Sequence, residues 1–414
     1  MNAFFRPVRQ LVFRLRRMVL AVVPFLFFRL GLFRVWQKVP QRIRRRIVDI
    51  VTRGADERGS RPATAVGPFF VCGLASSSTS FGWALRGTLA TLIAQQETAR
   101  AVDISSYFWA DYASNRLPQP ELDTAKGPGT LVVHVNPDQL GYVLSILPSE
   151  LVASKYIVQS LVWEFEHLPQ AWLGPMAFAD EFWVPSHFVR QAVERAGLEK
   201  PIRVVPHLLD VPQDLDTSRT RFGIPEDVFA VLCVFNIRSG LSRKNVAGVV
   251  AAFKAAFDDR PQARLILKCH DGHLDPAAFA VVQSYCGKNI AMIADDLSER
   301  DTWSLIGACD CLLSLHRSEG FGLVLKQALL LEKPVVATGW SGNLDFMTNE
   351  SGQPEPNCYL VSYDLVPVGS NSGIHGVTER DVWAEARIKS AKAHLLEVYK
   401  EWESSAGLMC RADG

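Results

Sequence analysis

The sequence predicts an α/β protein made of two parallel-sheet, Rossmann-like units, preceded by an amphipathic helical arm. Three observations lead there. From residue 62 onward, short apolar runs alternate with segments of helical period. That alternation occurs twice, on either side of a stretch rich in Asp and Pro at 208–227. The first 61 residues, finally, carry a charge balance unlike the rest. Strand–helix alternation implies parallel sheets covered by helices on both faces.

The first half offers strands at 69–73, 131–135, 156–163, 181–185 and 202–206. Helices are expected at about 82–97, 138–147 and 187–197, the last opened by Ser186 as an N-cap. Residues 208–227 have no clear periodicity and read as a linker. The second half repeats the pattern, with strands at 230–235, 264–268, 289–293, 311–315 and 334–338 and helices at about 246–257, 298–308 and 321–331. A last helix, about 379–403, carries the apolar stripe Ala384, Ile388, Ala391, Leu395, Val398 and Trp402, more stripe than a free tail needs. The expected organisation is an arm at 1–61, a Rossmann-like domain at 62–207, a linker at 208–227, a second such domain at 228–378, and a C-terminal helix and tail at 379–414 that pack back. Two such domains are expected to face each other across a cleft at the carboxyl ends of their strands.

The net charge of +1 conceals a division. Residues 1–61 hold fifteen basic side chains and three acids, a balance of +12, against twenty-nine bases and forty acids in the remainder, −11. The 48% hydrophobic and 21% charged content excludes a disordered chain, a collagen and a long coiled coil. The eight cysteines are scattered without a C-x-x-C pair and read as buried, reduced thiols.

In the arm, the apolar run 18–28 is too short to cross a bilayer core, which needs roughly 20 residues. No small-residue cleavage site follows it, and residues 1–51 lack the Ser and Thr of a transit peptide. At about 100° per residue, Phe4, Phe5, Val8, Leu11, Val12, Leu15, Met18, Val19 and Val22 fall on one face. Arg6, Arg9, Arg14, Arg16 and Arg17 fall on the other, with Phe13 the misfit. This is the pattern of a helix lying in a membrane interface, and Arg42, Arg44, Arg45 and Arg46 add attraction to anionic lipid. A helix docked on its own body and a nucleic-acid tail are the alternatives. The aliphatic and aromatic residues favour the membrane surface, so no nucleic-acid partner is expected. The location predicted is cytoplasmic, peripheral on the cytoplasmic face of the membrane.

Two strand-to-helix loops could carry chemistry. Residues 234–245 place Arg238, Arg243 and Lys244 beside a helix N-terminus, where N–H groups and the dipole already favour an anion. Residues 314–323, Ser-Leu-His-Arg-Ser-Glu-Gly-Phe-Gly-Leu, put Glu319 at a strand end followed by two glycines that allow close backbone approach. A third loop, Gly339-Trp340-Ser341-Gly342-Asn343, follows the next strand. In the first half, residues 73–82 form a small-residue loop opening a helix, and His134 ends a buried-looking strand.

The stretch from about 235 to 347 resembles the retaining glycosyltransferases of family 4, which have the two-domain GT-B fold. The matching elements are Arg238-x4-Arg243-Lys244, the 314–323 segment and Lys333-Pro334-Val335-Val336-Ala337-Thr338-Gly339-Trp340-Ser341-Gly342-Asn343. More loosely, 163–169 and 182–186 resemble the family's acceptor domain, so the likeness covers roughly 68–400.

The resemblance implies a nucleotide-sugar donor, with UDP- and GDP-sugars both open, and a lipid-linked or growing glycan acceptor. It implies that Arg238 and Lys244 hold the donor's diphosphate, with Arg243 and His316 beside it. Glu319 would contact the transferred sugar, and the N–H groups of Gly320, Phe321, Gly322 and Leu323 would face sugar and phosphate. His134 would lie near the sugar or phosphate. The second Glu of the family's E-x7-E motif is Gln327 here, an acceptor without charge. The one Asp-x-Asp, Asp214-Leu215-Asp216, lies in the linker. No cofactor and no metal are expected. The leading expectation is a membrane-associated hexosyltransferase. A catalytically silent scaffold subunit, motivated by Gln327, and a nucleotide-sugar epimerase are the alternatives.

Overall fold

The computed structural model describes residues 61–77, 80–108, 125–295, 297–369, 374, 376–378 and 380–412. The predicted arm lies outside the described residues, apart from Arg61. The chain divides into two units. The first takes the chain up to Leu161, Gln170–Val184 and Leu198–Leu208; the second takes Val162–Pro169, Pro185–Gly197 and the chain from Leu209 onward.

The first unit is a six-stranded sheet of β1 (Phe69–Gly73), β2 (Ala99–Asp103), β3 (Gly129–His134), β4 (Lys155–Ser160), β5 (Glu181–Val184) and β6 (Ile202–Val204). Its order is β2-β1-β3-β4-β5-β6, parallel throughout. Helices α1 (Ser80–Ala94) and α2 (Pro137–Ile146) connect strands. β1, β3 and β4 are buried along their full length, as a sheet covered on both faces requires. Sequence patterning missed β2, an edge strand whose Ala-Arg-Ala-Val-Asp run is half exposed and only partly apolar.

The second unit includes helix α3 (His187–Arg195), and Ser186 caps it as expected by accepting the N–H of Val189. Its sheet holds β7 (Phe229–Asn236), β8 (Ala263–His270), β9 (Ile290–Ile293), β10 (Cys311–Ser314), β11 (Val335–Thr338) and β12 (Cys358–Val361). The order is β12-β11-β10-β7-β8-β9, again parallel. Around it lie α4 (Val246–Phe257), α5 (Pro276–Gln283), α6 (Glu299–Ala308), α7 (Leu323–Leu330) and α8 (Ile388–Ala412).

β7 shows how the sheet serves two cores. Phe229, Val231, Cys233 and Phe235 face one cluster, with Phe253 and Phe257 of α4 and Leu395, Val398 and Tyr399 of α8. Ala230 and Leu232 face the other, with Leu305 and Ile306 of α6 and Leu325 and Ala328 of α7. The period-two alternation of a strand divides an all-apolar run between two faces.

Two expectations need correction. The last helix starts at Ile388, not near 379. Val382–Ala386 is instead strand β14, antiparallel to β13 (Tyr363–Pro367), so Ala384 belongs to a strand rather than to the helical stripe. The rest of the stripe holds: Ala391, Leu395 and Val398 are buried and Ile388 and Trp402 pack on the same core. Cys286 is exposed, whereas Cys72, Cys233, Cys269, Cys309, Cys311 and Cys358 are buried and unpaired. Burial pushes the Cys233 thiol up to about 12, with the Lys244 charge opposing, so it stays protonated. Patterning also missed α5, although Asp275 accepts the Ala278 N–H and Pro276 occupies the first turn.

Candidate functional site

In the second unit, β7 leads to β8 and β9 on one side, while β10 leads to β11 and β12 on the other. The strand order therefore reverses between β7 and β10, and the carboxyl ends at such a switch point are where open α/β sheets bind ligands. The two loops singled out by sequence both leave from this point. Arg238 follows β7, and Glu319 follows β10.

After β7 the chain turns tightly. The Asn236 side chain accepts the Arg238 N–H at 2.9 Å and donates to Asp271 at 2.8 Å. Arg238 is exposed. A helical turn, Leu241–Lys244, ends at Asn245 in the left-handed region, φ 52°, and Asn245 caps α4 by accepting the Gly248 N–H at 3.1 Å. This turn delivers two cations to one carboxylate. Lys244 Nζ donates to Glu319 Oε1, and Arg243 Nη1 lies 3.4 Å from the same oxygen.

Arg243 is 5% exposed. It donates to the carbonyl oxygens of Ser318 at 2.8 Å and Ser239 at 3.2 Å, and its Nη2 stands 3.4 Å from Glu164. Burial works against its charge, but the Glu164 and Glu319 carboxylates outweigh burial and raise its pKa. All three of its guanidinium nitrogens thus have partners within the protein. For Glu319, burial alone would raise the pKa. Lys244, then Arg243, overcome it and hold the carboxyl at about 2, ionised at neutral pH.

The Glu319 backbone is clasped by the loop after β11. Its N–H donates to Ser341 Oγ at 2.8 Å, and its carbonyl accepts the Gly342 N–H at 2.9 Å. Ser341 holds φ 78°, a conformation that costs a non-glycine residue and is concentrated at functional sites. A Cβ on Gly342 would come within 2.2 Å of the Gly320 carbonyl oxygen, so only glycine permits this approach. Gly320 O in turn accepts Ser186 Oγ at 2.7 Å. Phe321 packs on Phe346, ring centroids 5.1 Å apart, and Gly322 at φ 93° turns the chain into α7 at Leu323.

His316 is buried between Ser314 and Asn343, at 3.1 Å each. Asn343 Nδ2 donates to the Thr338 carbonyl, so its Oδ1 accepts from His316 Nε2–H, and Nδ1 is left to accept from Ser314. Burial lowers the His316 pKa, which keeps the ring neutral. Gln327, one turn into α7, is fully buried, and neither its Nε2 nor its Oε1 has a hydrogen-bond partner.

The structure thus brings Arg243, Lys244 and Glu319 together, sets His316 in the Glu319 loop, runs Gly320, Phe321, Gly322 and Leu323 into α7, and leaves Arg238 at the same sheet edge. His134 belongs to the first unit. It ends β3, is 2% exposed, and its Nε2 has no partner. Burial, then the neighbouring His207, lowers its pKa to about 3. Sequence reasoning assigned no role to Glu164, Ser341, Asn343 or Arg317. Among the described residues no group of three or more His, Cys, Asp or Glu side chains could hold a metal ion, and no helix is long and apolar enough to cross a membrane.

No protein-family model matches the chain, and no curated protein matches its sequence. Solved structures similar to it include the pneumococcal O-GlcNAc transferase GtfA in complex with UDP and GlcNAc, at 12% identity and TM-score 0.41, over 66% of this chain and 50% of that one. Another is a variant of TarM from S. aureus with fondaparinux, α-GlcNAc-glycerol and UDP, at 9% identity and TM-score 0.39, over 53% and 43%. A third is the N-terminal domain of trehalose-6-phosphate phosphatase from Candida albicans, at 10% identity and TM-score 0.42, over 69% and 86%. The chain spans about half the length of the first two of these proteins. At these scores the likeness assigns neither family nor activity.

Proposed function

We propose that this protein is a GT-B glycosyltransferase of the retaining, family 4 type, which moves a hexose from a UDP- or GDP-sugar to a lipid-linked or growing glycan acceptor. One observation carries the reading: two cations, Arg243 and Lys244, converge on the buried Glu319 carboxylate at the switch point of the second sheet. Transfer from a nucleotide sugar needs a good leaving group, and negative charge builds on the diphosphate as the glycosidic bond breaks. Prearranged cations and backbone N–H groups stabilise that charge. Lys244 and Arg238 take this role in our reading, with the N–H groups at the start of α7 behind them. Glu319 remains ionised and faces the positive charge that develops on the sugar.

Gln327 serves the ribose hydroxyls. Its buried amide has one donor group and one acceptor without partners, and a sugar diol supplies both. His134, in the first unit, keeps a neutral imidazole because burial lowers its pKa. The arm, on its sequence, holds the enzyme peripherally on the cytoplasmic face of the membrane, where a lipid-linked acceptor resides.

A thermal-shift panel of UDP-, GDP- and ADP-sugars tests the donor, followed by a transfer assay on membranes containing native acceptors. Stabilisation by one sugar nucleotide together with transfer is the expected result. Stabilisation without transfer would favour the silent-scaffold reading, to which the uncharged Gln327 at the second motif position lends its own support. No stabilisation by any nucleotide sugar would sink the donor site itself.

A further inference from the structure

We propose that Arg317 and Glu385 form a positioning pair that fixes the Lys244–Glu319 centre, and that the β13–β14 hairpin is therefore a working part of the donor site. The inference rests on the donor-site reading above, but it assigns residues that the reading does not use. Arg317 lies two residues before Glu319, and it joins three pieces of chain. Its backbone N–H donates to the Arg243 carbonyl at 2.8 Å, and its own carbonyl accepts the Ala384 N–H of β14 at 2.9 Å. Its guanidinium donates to the Ser242 carbonyl. It also makes a two-pronged contact with Glu385 Oε2, from Nε at 2.7 Å and Nη2 at 2.6 Å. The guanidinium carbon sits 4.9 Å from the centre of the Trp383 ring.

Glu385 completes the bracket. Its second oxygen accepts Asn245 Nδ2 at 3.4 Å, and Asn245 is the left-handed residue that ends the Lys244 turn and caps α4. The turn carrying Lys244 is thus held at Ser242 and Arg243 by Arg317, and at Asn245 by Glu385. The same Arg317 is chained to Glu319 through Ser318. Relative to the sheet, the hairpin is an addition, since β13 and β14 pair only with each other.

Stability does not account for this arrangement. The Glu385 side chain is 40% exposed, and an ion pair so open to water contributes little to folding. A planar fork stacked on an aromatic ring and spanning two acceptors instead sets orientation, a task Lys cannot perform equally. Misplacing a charged group by about 1 Å is enough to cost up to roughly a hundredfold in a preorganised site.

The test is calorimetric binding of UDP, GDP and ADP to the full chain and to Arg317→Ala, Arg317→Lys, Glu385→Gln and the Arg317→Ala/Glu385→Gln double variant, with Tm measured on each. For the nucleotide that wild type binds, Arg317→Ala and Glu385→Gln are expected to weaken affinity about tenfold or more. The double variant should be no weaker than the worse single, because both remove one device, and Arg317→Lys should recover part of the loss. The Tm of Glu385→Gln should stay within a few degrees of wild type, so that its loss of affinity is not a loss of fold. Wild-type affinity in Glu385→Gln, or losses that simply add in the double variant, would overturn the positioning role alone. A wild type that binds none of the three diphosphates would overturn the donor-site reading, and this inference with it.

Discussion

Lys244 Nζ donates to Glu319 Oε1 across seventy-five residues of chain, so each of these groups is the other's counter-ion before any ligand arrives. On the proposed reading, a diphosphate entering the site competes with Glu319 for Lys244. The two motifs that sequence reads separately, a basic loop and an acidic one, are a single electrostatic object.

Replacing Glu319 with Gln separates binding from transfer. Relieved of its carboxylate partner, Lys244 is expected to bind the bare nucleoside diphosphate about tenfold more tightly, a charge-assisted hydrogen bond having changed hands. Sugar transfer should be lost. Stability should fall as well, because buried Arg243 keeps only Glu164. Calorimetry with UDP or GDP beside a transfer assay checks both halves; weaker diphosphate binding would show that Glu319 is not the competitor.

Neighbouring arginines should behave oppositely. Arg243→Ala takes the Arg243 charge from Glu164 and leaves buried Glu319 with Lys244 alone, and is expected to cost about 3–5 kcal/mol of stability, the range for breaking a buried pair from one side. Arg238→Ala, at an exposed position, should change stability by no more than about 0.5 kcal/mol and instead weaken donor binding. Urea titration combined with calorimetry distinguishes them, and matching stabilities would refute the division of labour.

Acid should weaken the protein in two successive windows. His134 stays neutral when folded, with its pKa lowered from 6.5 to about 3, whereas the unfolded chain takes up the proton. The unfolded state therefore binds more protons as pH drops below 6.5, and the first unit loses stability from there toward pH 3. Glu319 acts at lower pH. Its folded pKa of about 2 lies below the ordinary 4.5 of the unfolded chain, so its stabilisation is complete above 4.5 and is lost as pH falls toward 2. His134→Gln should flatten the loss between pH 6 and 4 while leaving the lower window intact, as read by thermal unfolding across pH.

Deleting residues 1–61 should shift the protein from the membrane to the supernatant fraction, since those residues supply the +12 balance and the apolar face of the proposed anchor. Sedimentation of the truncated chain with anionic vesicles is the check. Continued binding would remove the arm from the argument.

Local pattern revealed the elements whose physics is local. β7 and α4 were readable because an uninterrupted apolar run and a Val246, Val249, Val250, Phe253, Phe257 stripe each have one obvious period. The β13–β14 hairpin was not. Val382–Ala386 contains Ala384, which also fits the stripe that Ile388, Ala391 and Leu395 continue, so strand and helix periods overlap there. Glu319, Arg238 and Lys244 were visible as charged residues in loops that join strand to helix. Arg243 appeared the same as they did, and only its burial between Glu164 and Glu319 shows where its donors go. Pairings across such sequence distances leave no periodic trace, so Glu164 and Glu385 gave no signal of their own.

The division of β7 between two cores turns strand length into a measuring device. Phe235 closes one apolar face, Asn236 ends the strand, and Arg238 follows two residues later. Inserting a single residue within β7 would exchange every side chain between the two faces downstream. It would also carry Arg238 about 3.3 Å along the strand axis. The position of Arg238 is thereby tied to the packing of two hydrophobic clusters, and drift in either would be felt at the carboxyl end of the sheet as a misplaced charge.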